Sequence, residues 1–282
     1  MKLKALKEEF ITALKTDFPE EEARSFFFLL TEAYLQVSRL QLALEPDKEI
    51  NEAEVTKIEA AKLRLLKHEP IQHILGETEF FSLNLKVTRD VLIPRPETEE
   101  LVQWILDDIS EKIKPLKIME MGAGSGCIAI SLAKNLPKSE ISAIDNSKKA
   151  LEIAKINAEQ NKVSVNFFQQ DILKLESLPE NLDVIVSNPP YVRELEQKEM
   201  HRNVLDYEPK AALYVKDDNP LIFYEKITKL AKNSLRAGGK LYFEINQYLA
   251  SDTEKILQDN GFQTELRKDI FENFRMLKGE KI

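Results

Sequence analysis

The chain has 282 residues and one cysteine, Cys127, so no disulfide can form within it. Its three histidines, His68, His73 and His201, make no ligand-spaced cluster with that cysteine. No structural zinc site is implied, and no metal enters the expected chemistry. A run of about 18 apolar residues, the length needed to cross a bilayer, is missing as well. The opening stretch MKLKALKEEF is charged throughout and has no apolar signal region, so the expectation is a soluble, cytoplasmic chain with no membrane partner. There is no excess of basic residues either: 40 Lys and Arg stand against 48 Asp and Glu, a net charge of −8. Proteins that wrap duplex DNA usually carry the opposite balance, so no stable nucleic-acid partner is expected. Glycine is scarce at 8 residues, and none precedes Gly76.

A glycine-free opening suits helices. Leu3, Leu6, Phe10 and Leu14 recur at spacings of three and four, the repeat of one helix face. A second helix is expected to begin at Pro19, with Glu20 to Glu22 in its first turn. A third covers about residues 52–67, with Val55, Ile58, Ala61 and Leu65 on one side. Residues 1–72 thus read as a small all-α domain. In the stretch that follows, ILGETEFFSLNLKVTRDVLI, β-formers alternate, and a hairpin linker is expected over 73–95.

From residue 96 to 282 strands alternate with helices. KIMEM (117–121), EISAID (140–145), SVNFF (164–168), LDVIVSN (182–188) and KLYFEIN (240–246) read as strands. That alternation predicts an α/β domain with a parallel, doubly wound sheet. FQTELRK (262–268) and FRMLKG (274–279) read as a terminal hairpin on the sheet edge.

The first of these strands runs into Gly122, Ala123, Gly124, Ser125 and Gly126, and a helix follows. Glycines at such a turn let backbone approach a ligand and adopt positive φ. The dinucleotide pattern G-x-G-x-x-G/A is not met, because its third position is Cys127, and no P-loop lysine is present. Cys127 itself reads as a small packing residue. Asp145 ends the second strand, where a carboxylate can accept from ribose hydroxyls. Asp171 and Ile172 follow the third strand and suit an adenine amino group and ring. The ligand implied carries ribose and adenine without a strict need for a pyrophosphate cradle, and S-adenosylmethionine fits.

The strand VIVS breaks off at Asn188-Pro189-Pro190-Tyr191. Proline has no N–H to donate to a sheet ladder. Asn188 offers a side-chain carbonyl, Pro189 offers only a backbone carbonyl, and Pro190 holds Pro189 extended. Two fixed acceptors suit the two N–H bonds of an amino or amide group, and Tyr191 adds a flat face. Asn188, Pro189 and Tyr191 are the expected catalytic residues. Asn188, Pro189, Pro190 and Tyr191 are expected to hold the substrate, with Asn188 also near the donor.

N-P-P-Y after a fourth strand resembles methyltransferases that act on nitrogen in a planar system. VLIPRPETEELV (91–102), PIQHILGETEFFSLNLKV (70–87), DYEPKAAL (206–213) and Phe274-Arg275 narrow the resemblance to the release factor glutamine methyltransferases of the HemK/PrmC type. The match covers nearly the whole chain, with Glu120-Met121 where Asp-Leu is common. It implies a Rossmann-like methyltransferase domain behind an all-α domain that recognises the substrate. It also implies methyl transfer from S-adenosylmethionine to the glutamine amide of the Gly-Gly-Gln loop of class 1 peptide release factors. The enzyme is expected to act as a monomer. Arg95, held extended between Pro94 and Pro96, reads either as a wall of the donor pocket or as a solvated helix-start residue. The alternatives are an adenine-N6 DNA methyltransferase, a guanine-N2 ribosomal RNA methyltransferase, and a non-catalytic nucleoside-binding adaptor. The adaptor has no use for Asn188-Pro-Pro-Tyr191.

Overall fold

The computed structural model describes residues 1–109 and 115–282. The chain opens with α1 (Leu3–Leu14), α2 (Glu20–Leu35), α3 (Arg39–Leu44), α4 (Glu52–Leu65) and α5 (Ile71–Leu75). A hairpin follows, β1 (Glu77–Phe80) and β2 (Leu83–Lys86), then α6 (Pro96–Asp108), β3 (Lys117–Met121), α7 (Cys127–Asn135) and β4 (Glu140–Asp145). Next come α8 (Lys148–Gln160), β5 (Asn166–Gln169), β6 (Leu182–Ser187) and β7 (Val192–Arg193). The remainder is α9 (Arg202–Tyr207), α10 (Lys210–Leu213), β8 (Tyr214–Val215), α11 (Ile222–Ser234), β9 (Leu235–Glu244), α12 (Ala250–Asp259), β10 (Phe262–Lys268) and β11 (Phe274–Lys281).

These elements form two compact units, residues 1–76 with 201–207, and residues 77–200 with 208–282. The hairpin β1–β2 falls in the second unit rather than forming a separate segment, and α9 joins the first. In the first unit Leu3, Leu6, Phe10, Leu14, Phe27, Leu30 and Ile58 bury fully. Pro19, expected as a first helical residue, is instead the N-cap of α2, with ψ at 145°. Capping boxes open two helices: Ser38 with Gln41 at α3, and Asn51 with Glu54 at α4. Each satisfies two backbone donors that a helix start would otherwise orphan. Gly76 closes α5 at φ 81°, where a side chain would strain the turn.

One side of the first unit carries a concavity of about 440 Å³, lined among others by Lys4, Lys7, Lys15, Arg24, Phe28 and Arg39. Glu20 pairs with Lys15 at 3.0 Å and also with Arg24. Lys7 and Arg39 both lie over the Phe28 ring, 4.8 and 4.9 Å from its centroid. Burial, and then Arg24 and Arg39, push the Lys7 ammonium below its usual pKa.

The second unit is built on a seven-stranded sheet in the order β10-β11-β9-β6-β3-β4-β5. Strands β9, β6, β3, β4 and β5 are parallel, and at one edge β11 pairs antiparallel with both β9 and β10. The chain winds from β3 through β4 to β5, then returns to β6 on the other side of β3. That reversal is a topological switch point, where open α/β sheets hold ligands beyond the strands' carboxyl ends. β6 is buried at Val184, Ile185 and Val186, the near-continuous apolar run expected of a strand covered on both faces. The hairpin turn puts Phe81 at φ 50° and Ser82 at φ 60°, and its Phe81 N–H donates to Glu99 at 2.8 Å. Asn157, fully buried, ties three segments together. Its Nδ2 donates to the carbonyls of Lys86 (3.0 Å) and Ser125 (2.9 Å), and its Oδ1 accepts from Lys86 N–H (2.7 Å).

Candidate active site

Strand register brings the two main sequence motifs side by side. Glu120 pairs with Val186 on the parallel neighbours β3 and β6, so Gly122 and Asn188 leave the sheet at the same level. A Cβ built on Gly122 stands 4.0 Å from the Asn188 carbonyl oxygen. Gly122 at φ 90° donates to the Ile144 carbonyl at 2.9 Å, which folds the glycine loop over the end of β4. Asp145, at that end, binds the loop in return. Its Oδ2 accepts from Gly124 N–H and its Oδ1 from Ser147 N–H, each at 2.8 Å. Each carboxylate oxygen has two lone pairs, so Asp145 retains capacity for a hydroxyl donor.

A cavity of about 310 Å³ lies over these strand ends. Gly122, Ala123, Gly124, Ser125, Asp145, Asp171, Ile172, Asn188 and Pro190 all line it. Ile172 is buried beside Asp171, whose Oδ1 accepts from Leu173 N–H at 3.0 Å and whose Oδ2 lies 3.3 Å from Lys174 Nζ. Among the described residues, no group of three or more His, Cys, Asp or Glu side chains could hold a metal ion.

Three of the expected site residues sit elsewhere. Gly126 does not line the cavity. It packs α7 against α8, where a Cβ would come within 2.9 Å of Ile130 Cδ1 and 3.1 Å of Ala154 Cβ. Pro189 is buried and does not line the cavity, and Pro190 takes the place at its wall. Tyr191 packs against the apolar cluster of Tyr224 and Phe243 and turns its hydroxyl to Glu244 Oε1 at 2.9 Å. Burial, with the Glu244 charge next, pushes the Tyr191 hydroxyl pKa up, so it stays protonated and donates.

Two family models match the chain: the PrmC N-terminal domain over residues 7–76 and the methyltransferase small domain over residues 100–212. The release factor glutamine methyltransferase of Flavobacterium psychrophilum is 50% identical over 281 residues, 99% of each chain. The chain belongs to the release factor glutamine methyltransferase family. A second relative of the same name, from Bacteroides thetaiotaomicron, is 41% identical over 95% of this chain and 96% of its own. A methyltransferase structure from Pyrococcus furiosus superposes with a TM-score of 0.53 at 19% identity, covering 79% of this chain and 98% of that one. That likeness concerns the fold, a Rossmann-like methyltransferase sheet.

Within this methyltransferase, several cavity residues escaped sequence reading. Glu120 is 1% exposed inside β3 and accepts from Ala129 N–H at 3.0 Å. Burial raises its carboxyl well above the usual range; the Ala129 contact opposes this and the Asp145 charge adds to it. A charge in a buried strand has no signature beyond interrupting an apolar run. Thr98, Phe223 and Ala212 also line the cavity. So do Val91, Pro94 and Arg95, and the two motifs VLIPRP and DYEPKAAL meet there. Arg95 Nη2 pairs with buried Glu208 Oε1, whose Oε2 accepts from Ile93 N–H at 3.1 Å. Arg95 is therefore part of a built wall and not a solvated helix-start residue. Cys127 lines the cavity too, but burial, then Glu120, push its thiol pKa up, which removes the thiolate a nucleophile would need.

Proposed function

We propose that this chain uses the Asn188 strand end to present a release-factor glutamine amide to the methyl group of S-adenosylmethionine. Membership of the release factor glutamine methyltransferase family supports the reaction and its substrate. The observation that carries the site assignment is the shared cavity: Asn188 leaves β6 at the level where Gly122 leaves β3, and both line one space with Asp145.

The cavity fits the donor. The open space at Gly124, where a Cβ would meet nothing within 4 Å, leaves room for close approach to the loop. Asp145 keeps acceptor capacity for ribose hydroxyls, and Asp171 with Ile172 offers a polar and an apolar edge to adenine. When bound, S-adenosylmethionine supplies an electrophilic methyl group on a positively charged sulfur.

The residues of the chain then do the aiming. An amide nitrogen is a weak nucleophile because its lone pair is delocalised into the carbonyl. Asn188 Oδ1, at the cavity wall, accepts from an N–H of the amide, holds its orientation and spreads the positive charge that develops on nitrogen. Positioning of this kind contributes at most roughly 7–11 kcal/mol. A fixed acceptor aimed at the developing charge adds electrostatic stabilisation of the transition state. The proton leaves to water once nitrogen carries the methyl group.

The helical unit serves, in this reading, to recognise the protein substrate. Its cationic concavity, with Lys7 and Arg39 sharing the Phe28 ring, suits an acidic protein surface. Incubation with labelled donor and, separately, a class 1 release factor, DNA and ribosomal RNA tests the function. Label is expected on the release factor alone, mass-mapped to the glutamine of Gly-Gly-Gln. Label on a nucleic acid and none on the factor would overturn the assignment.

A further inference from the structure

An asparagine side chain has two ends of nearly equal shape and opposite polarity. For Asn188 the difference is decisive. With Oδ1 toward the cavity it accepts from an incoming NH2, and with Nδ2 toward the cavity it repels one. Nothing in the Asn-Pro-Pro-Tyr stretch sets which end faces in.

Two buried residues from other elements do. Thr98, in the first turn of α6, and Glu244, the last residue of β9, are each 2% exposed. Ser187 pairs with Phe243 on the parallel neighbours β6 and β9, so Asn188 and Glu244 leave the sheet at one level. Thr98 Oγ1 donates to Glu244 Oε2 at 2.6 Å and accepts from Asn188 Nδ2 at 3.3 Å. Tyr191 donates to the other carboxylate oxygen.

Proton counting sets the direction of this chain. Burial raises the Glu244 carboxyl pKa, while the hydrogen bonds from Thr98 and Tyr191 and the Arg275 charge pull it down. In its ionised form it only accepts, and a hydroxyl has a single proton. The Thr98 proton is committed to Glu244, so only lone pairs face Asn188. The amide can meet those lone pairs only with its N–H end, which turns Oδ1 the other way.

We infer that Thr98 and Glu244 are positioning residues that set the polarity of Asn188 and so make the site selective for an N–H donor. A glutamine side chain enters with its NH2 toward Asn188. A glutamate side chain, ionised and without a proton to offer, is turned away. The inference rests on the proposed role of Asn188 as the acceptor for the substrate amide.

The test uses the full chain, a release factor substrate and the variants Thr98→Val and Thr98→Ser. Valine keeps the shape and removes the hydroxyl, whereas serine keeps the hydroxyl. Thr98→Val is expected to lower kcat about tenfold, the scale of one hydrogen bond, with donor affinity by calorimetry unchanged and Tm lowered, because buried Glu244 loses a donor. Thr98→Ser is expected to stay near wild-type kcat. In an Asn188→Asp background, where both ends of the side chain accept, Thr98→Val should cost no further rate. If that background has no measurable rate, the valine and serine comparison decides. If the valine variant does not fold, Thr98→Ala is read the same way. A valine variant at wild-type kcat, or a serine variant impaired as far as valine, overturns the inference. A wild-type chain that labels no release factor is a failure of the functional reading. The relay is then read directly from the Asn188 side-chain amide by 15N NMR. One Nδ2 proton protected from exchange, and exposed by Thr98→Val, supports it. Equal exchange of both protons in the wild-type chain overturns it.

Discussion

The two units bury different things. The helical unit fills its interior with Leu3, Phe10, Phe27, Leu30 and Ile58 and keeps its cationic groups around a surface concavity. The sheet unit buries Glu120, Glu208, Glu244 and Asp269, each below 6% exposure, with Asn157 and Thr98 among them. Burying a carboxylate costs free energy unless it is bonded, and a packed apolar replacement is often as stable. The helical unit accepts this cost at Glu69, which Arg64 holds with hydrogen bonds of 2.7 and 2.9 Å, whereas the sheet unit accepts it at several positions, most of them around the cavity. Glu120 accepts from Ala129 in α7, Glu208 from Ile93 N–H and Glu244 from Thr98 in α6, while Asp269 pairs with Arg275 at 3.3 Å.

The comparison breaks first at Asn188. Asn188→Ala is expected to lower methyl transfer at saturating donor by about 10²–10³-fold, the scale for removing one preorganised polar contact to a transition state. Circular dichroism should show the fold intact, since the side chain is a half-buried cavity residue. Near-normal turnover would remove the contrast between a chemical and a packing unit.

Asp145→Ala should act on the donor and not on the protein substrate. Loss of hydrogen bonds to a charged group costs about 1.5–3 kcal/mol, so donor affinity by calorimetry should fall by one to two orders of magnitude. Unchanged affinity would sink the ribose assignment.

The helical unit is probed by reversing charge in its concavity. Lys7→Glu with Arg39→Glu is expected to raise KM for the release factor about tenfold and weaken its salt dependence, because charged contacts at a protein surface act mainly on encounter. Donor affinity should stay as it is. A change in donor affinity instead, with KM for the factor unmoved, would break the division of labour.

Gly126→Ala sharpens the packing side. Its φ of 81° and the 2.9 Å approach to Ile130 make any side chain costly, and overpacking of this kind destabilises by roughly 1–3 kcal/mol in chemical denaturation. The smallest effect concerns Glu120. Its carboxyl keeps its proton in the folded state above the ordinary value of 4.5, so the folded state binds more protons than the unfolded one in that window. Stability therefore falls as pH rises through it. Glu120→Gln, which has no charge to bury, should gain in Tm relative to wild type as pH goes up. A difference independent of pH would mean that Glu120 is not held protonated by burial.

Much of this molecule was legible in one dimension. Apolar periodicity marked α1 and α4, a proline and an acidic first turn marked α2, and runs of β-formers marked β3, β4 and β6 within a residue or two. The glycine loop, Asp145, Asp171, Ile172 and Asn188 all converge on the cavity because strand ends in a parallel sheet face one way. These are local signals, carried by neighbours in sequence. Gly126, Pro189 and Tyr191 belong to the same stretches of sequence but do not line the cavity, because where their side chains point depends on what packs above them.

The remainder was decided only in three dimensions. Thr98 meets Asn188 across 90 residues and Glu244 across 146, and Arg95 meets Glu208 across 113. None of these partners has a periodicity or a motif that points to the other. A threonine in a first helical turn and a glutamate at a strand end are ordinary residues there. The sequence by itself determined the strand order's raw material, the glycine turn and the amide at the end of β6, because backbone preference and apolar patterning act over a few residues. The tertiary structure decided which end of that amide faces the cavity, because a hydrogen-bond direction depends on the donors and acceptors that the fold brings within 3 Å or so of it.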